Sequence, residues 1–145
     1  MTSREDAEYR LRLARGFLER ARQDHGRQEF DRCADGAQRA GENAAKALIT
    51  LIEPPPKTHA PKTRLAELID AGALRLPAGV SATELLAMIE LLGSELHIEA
   101  GYGVESARLA PWEAIDRPRA EAALAAAERV VALAERIVTP AGASG

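Results

Sequence analysis

The run Ala37-Gln38-Arg39-Ala40-Gly41-Glu42-Asn43-Ala44-Ala45-Lys46-Ala47-Leu48-Ile49, followed by Pro55-Pro56-Lys57-Thr58-His59, decides how this chain folds. Phe30, Cys33, Ala37, Ala40, Ala44, Ala45, Leu48 and Ile52 recur by threes and fours, so the spacing predicts a helix over 29–52. A face of alanine and glycine lets a neighbouring backbone approach closely, which suits an antiparallel bundle. The Pro54-Pro55-Pro56 run ends the helix, because proline lacks an amide hydrogen and restrains the residue before it.

The same periodicity extends in both directions. Upstream, a first helix starts near Ser3, with Thr2 or Ser3 as cap and Glu5 and Asp6 in its first turn. Its stripe is Ala7, Leu11, Ala14, Leu18 and Ala21, widened by Leu13 and Phe17, and Gly26 stops it. Downstream, a short helix spans 62–71 and closes at Gly72. Ser81-Ala82-Thr83-Glu84 is a capping box that opens a helix running through Leu85, Leu86, Ile89, Leu92 and Leu96. Gly101, Gly103 and Pro111 predict a loop over 99–116. Asp116 caps the last helix, with Pro118 in its first turn. That helix shows Ala120, Ala123, Leu124, Ala127, Val130, Val131, Ala134 and Ile137 on one side. The expected fold is all-α: an antiparallel up-and-down bundle of four long helices plus one short one. It forms a single domain over 1–138, with a frayed tail at 139–145.

Length and composition agree with this. The 145 residues suit one domain, and with 3% aromatics the core must be Leu, Ile, Val and Ala. No apolar run approaches the ~20 residues needed to span a bilayer, and the charged start has no secretory character. A lone Cys33 fits a reducing compartment, so a cytoplasmic location is expected. The net charge of −3 disfavours generic nucleic-acid binding. Residues 1–64, however, carry 13 Lys/Arg against 10 Asp/Glu, whereas residues 65–145 carry 6 against 12. That dipole could promote self-association or confine an anion to the N-terminal half, but solvated helix faces with no partner are the favoured explanation.

Read in order, Gln38, Glu42, Lys46 and the Pro55-to-His59 turn resemble the signature of the HEPN family (higher eukaryotes and prokaryotes nucleotide-binding domain). There a helix of the type A-Q-x-A-E-K-A-x-K-A-L-x runs into P-P-K-T-H. The likeness covers roughly Leu11 to Ile137. Ile98 to Gly103 looks like a degenerate I-P-T-R-Y-P segment: Ile98 and Tyr102 are kept, Gly101 replaces the usual arginine and Gly103 the usual proline. The resemblance implies a homodimer. It also raises the chemistry of the family's metal-independent ribonucleases, whose R-x4–6-H motif projects an arginine and a histidine into the dimer cleft. Histidine there serves acid–base catalysis and arginine stabilises the phosphate. In this chain the late histidine is His97, and the positions that would supply its arginine are Glu90, Leu91 and Leu92. The textual match Arg20 to His25 lies in the first helix, where the family does not place it. The expectation is therefore a non-catalytic or degenerate binding module for nucleotide or RNA phosphate. The family further suggests a nucleotidyltransferase-like partner in a toxin–antitoxin-type system. The alternatives are a ribonuclease with a displaced active site, using Arg20, His25 or His97, and a dimeric scaffold with no ligand.

The ligand-binding candidates are Arg39, Lys46, Lys57, His59 and Tyr102. Lys57 and His59 could hold a phosphate, but the favoured alternative is that His59 and Thr58 satisfy loose backbone groups where the helix ends. Arg39, Glu42 and Lys46 form either a ligand face or an ordinary ion-pair ladder. His97 is expected near a helix C-terminus, where the dipole favours an imidazolium, and its spacing to Glu95 and Glu99 matches no zinc signature. No metal or cofactor is expected. Tyr102 and Trp112 could stack on a base, anchor a partner, or close the loop over the bundle.

Overall fold

Helix α2 (Phe30–Thr50) is the axis of the molecule in the computed structural model, which describes residues 3–140. From Ala40 to Thr50 every α2 residue except Glu42 is buried, so this helix is covered on nearly all sides. Two other long helices pack on it: α1 (Ser3–Gly26) and α7 (Arg117–Val138). Arg4 reaches the Val138 carbonyl, Arg15 pairs with Glu135, Arg22 with Glu128 and His25 with Glu121. Partner numbers fall along α7 as they rise along α1, so the two helices are antiparallel. The core is aliphatic, with Leu11, Leu48, Ile49, Leu65, Leu85, Ile115, Val130 and Val138 among its fully buried side chains.

Small residues on α2 set how closely the rest can come. A Cβ on Gly41 would lie 2.5 Å from Leu92 Cδ1 and 3.1 Å from Leu92 Cβ, so Leu92 sits directly on bare backbone. On Gly36 it would lie 3.2 Å from both the Ala21 Cβ and the Phe17 carbonyl oxygen of α1.

The all-α expectation holds, and no strand occurs among the described residues, which carry only an isolated bridge between Val104 and Leu109. The long helices, however, number three. The expected fourth is divided into α4 (Ala82–Leu91) and α5 (Ser94–Tyr102), after α3 (Lys62–Asp70). Gly93 takes an extended ψ of −154°, turning the chain where Leu92 enters the Gly41 notch. The segment read as a loop holds the end of α5, a 3-10 turn at Glu105–Ala107 and the single-turn helix α6 (Pro111–Ala114). Gly103 stops α5 with φ +82°, and any side chain there would strike the Leu109 carbonyl.

The caps fall as expected: Ser81 accepts from the Glu84 amide at 3.2 Å and Asp116 from the Arg119 amide at 3.0 Å. The Thr2 cap and the end of the tail, residues 141–145, lie outside the described residues. No helix among the described residues is long and apolar enough to cross a membrane.

Candidate functional site

Glu42 is the one α2 residue between Ala40 and Thr50 that reaches an open edge, and three donors converge on it. Lys46, one turn on, places its ammonium 3.0 Å from Oε2. Gln38, one turn back, donates from Nε2 to Oε1 at 3.2 Å. His59 donates from Nδ1 to the same oxygen at 3.0 Å. The Glu42 and Lys46 side chains are only 11% and 9% exposed, so this pair is no solvated ladder. Burial by itself would raise the Glu42 pKa. The Lys46 and Gln38 hydrogen bonds, the Lys46 charge and the His59 bond outweigh it and hold the carboxyl below its ordinary range.

The turn after α2 delivers His59. Thr58 Oγ1 accepts from the Ala60 amide at 3.0 Å, shaping the bend. Arg64 on α3 grips Glu53 through two nitrogens, at 2.8 Å for Nε, which ties the turn to the next helix. His59 thus reaches back to a side chain of α2 instead of capping its loose carbonyls.

His97 completes the cluster from α5. Its ring stacks on His59 with centroids 4.1 Å apart and planes within 18°. Its Nδ1 lies 3.3 Å from Gln38 Oε1. Gln38 Nε2 faces the Glu42 carboxylate and, at 3.4 Å, the His59 carbonyl oxygen, both of which only accept. The amide oxygen must therefore face His97, whose Nδ1 must carry the hydrogen. Burial holds the His97 imidazole below its ordinary range. His59 and Arg39 reinforce this, while Glu42 and Asp35 oppose it. His97 lies in the first half of α5, not near a helix C-terminus, so the dipole argument for a favoured imidazolium does not apply.

The other candidates divide between this face and the rest of the surface. Arg39 pairs with Asp35 at 3.1 Å, lies over the Phe17 ring and is close enough for its charge to act on His97. Lys57 is exposed, two residues before His59, and forms no ion pair among the described residues. Lys46 is spent on Glu42. Tyr102 and Trp112 are 77% and 72% exposed and do not close over the bundle. His25 is bound to Glu121 and packs edge-on against Phe30 near the start of α2, more than two turns from Gln38; Arg20 is an exposed α1 residue. The structure brings neither of them to His97. Buried Cys33 has its thiol pushed up to about 11 by burial, then by Asp24 and Glu121, which leaves it unreactive. No group of three or more metal-ligating residues gathers among the described residues.

Neither Glu42 nor Gln38 is among the ligand-binding candidates of the sequence: Glu42 stands there in an ion-pair ladder and Gln38 only in the family signature. The i, i+4 spacing of Gln38, Glu42 and Lys46 was the available signal; the His59–His97 contact had none.

A family model for the HEPN domain matches residues 7–137. The chain belongs to the HEPN family. Its match takes in every element of the site, from Gln38 on α2 to His97 on α5. No curated protein and no solved structure matches the chain.

Proposed function

We propose that this HEPN domain is a binding module without nuclease activity of its own, and that it takes a nucleotide or RNA phosphate on the His59–His97 face. The observation that carries the reading is the shared support of the two imidazoles by Glu42 and Gln38, with exposed Lys57 two residues before His59 in the same turn. Arg39 adds a second cation at the edge. Lys46 acts indirectly, neutralising the carboxylate that would otherwise repel an anion.

The exposed aromatics support a protein-contact role for the α5–α6 surface, where Ile98 and Tyr102 lie one turn apart on α5 and Trp112 is the second residue of α6. Homodimerisation and a nucleotidyltransferase-like partner of a toxin–antitoxin-type system fit that surface. A cytoplasmic setting fits the lone buried thiol. Titration calorimetry with 5′-AMP and a short RNA oligomer tests the binding. Lys57→Ala and His59→Ala should each weaken it several-fold while the RNA stays intact. Undiminished binding in both variants, or none in the parent protein, defeats the reading.

The proximity of Arg39 to His97 favours one second reading, a ribonuclease with a displaced active site. RNA cleavage by the parent protein that disappears in a folded His97→Ala variant would establish it.

A further inference from the structure

The hydrogen bonds of the cluster determine where either histidine can accept a proton. Glu42 takes the Nδ1 hydrogen of His59, and Gln38, its amide oriented by Glu42, takes that of His97. Each ring therefore has one basic nitrogen left, Nε2. Neither Nε2 has a hydrogen-bond partner among the described residues, and neither is a buried orphan. Both accept protons without disturbing the inner network, because Nδ1 remains a donor in the imidazolium.

The groups facing His97 are His59 from the turn and Gln38, Glu42, Asp35 and Arg39 from α2. Stacking at 4.1 Å tolerates one imidazolium against a neutral ring, whereas two positive rings repel. The doubly protonated pair therefore lacks a counter-charge on its outer side. A dianion that accepts from the His97 Nε2–H on that side would supply one.

We infer that the stacked pair is a proton-coupled receptor for a phosphate-type dianion, in which His97 takes up a proton at Nε2 as the anion arrives. This rests on the phosphate-binding reading above and adds to it the seat of the ligand and the control by pH. One proton passes from solvent to His97 per anion bound, and no covalent bond changes. Gln38 is then a positioning residue: it keeps the His97 lone pair on the outer side.

Sulfate is the suitable probe, since it remains a dianion across the relevant pH range. Nitrogen-15 spectra of the histidine side chains would be recorded for the intact protein as sulfate replaces chloride at constant ionic strength. Before sulfate, above pH 7, His97 should show a protonated Nδ1 and a bare Nε2. With sulfate, His97 Nε2 should become protonated, its titration midpoint should rise, and affinity should approach an about tenfold loss per pH unit above that midpoint. His97→Phe retains a ring for the stack and should bind sulfate several-fold more weakly with an unchanged circular dichroism spectrum. Sulfate that perturbs His59 while leaving His97 nitrogens unchanged would overturn the coupling and spare the phosphate-binding reading. No perturbation at either ring up to high sulfate would overturn both. A bare Nδ1 on His97 in the free protein would overturn the assigned role of Gln38.

Discussion

His25 and His59 each hold a carboxylate, at 2.8 and 3.0 Å, yet the two contacts differ in everything but length. Glu121, the partner of His25, is 47% exposed on the rim between α1 and α7. Glu42, the partner of His59, is 11% exposed and also receives Lys46 and Gln38. On the rim, water competes for both charges and little is gained. At the Glu42 carboxylate water is largely excluded, although the His59 ring is itself 62% exposed, so the donors there depend on one another. Distance alone does not distinguish a decorative pair from an organising one; burial of the carboxylate and its number of donors do.

The sharpest way to break the comparison is Glu42→Ala. It strands the Lys46 ammonium, whose side chain is 9% exposed, and should cost about 3 kcal/mol in urea unfolding, the low end for a broken buried pair. It should also free the His59 ring from His97, visible as loss of ring-current shifts. A cost under about 1 kcal/mol would put the cluster on a par with the rim.

Next comes Gly41→Ala, which forces Leu92 away from α2 and should cost about 1–3 kcal/mol by overpacking. It tests whether the α4–α5 break, and with it the placing of His97, depends on that notch. Stability unchanged with the histidine spectra intact would show that it does not.

The pH dependence is smaller. Because His97 is held below its ordinary pKa, the unfolded chain binds a proton more readily than the folded one. The stability this supplies is full above the unfolded value near about 6.5 and is lost as pH falls through the lower folded one. His97→Phe should therefore flatten the decline in unfolding free energy over that range. Glu42 acts in the same direction at more acid pH, its contribution disappearing as it is protonated below about 4.3.

The smallest effect belongs to the rim: Glu121→Ala should stay within about 0.5 kcal/mol of the parent protein.

Much of this fold was legible in the residues. Periodicity marked α1, α2 and α7, and Ser81 and Asp116 announced their helices because a cap is a local hydrogen bond. The break at Leu92–Gly93 was hidden, because the apolar repeat continues across it and the cause lies on α2 at Gly41. The 99–116 segment misled for a related reason: its glycines and proline are real stops, yet short helices fit between them. At the site, Lys57 and His59 stood out as unusual residues after a proline run. Lys46 was read as a candidate ligand contact, since a sequence does not tell which of its cations is already paired.

The sequence by itself determined the family, the helical class, the small-residue axis and the turn that ends it, all of which depend on neighbours within a turn or two. Only the tertiary structure decided that a residue 38 positions beyond His59 stacks on its ring. It alone made Glu42 the common support and gave Gln38 the choice of tautomer. Those facts depend on how closely α5 approaches α2, and that approach is set by packing between segments the sequence keeps far apart.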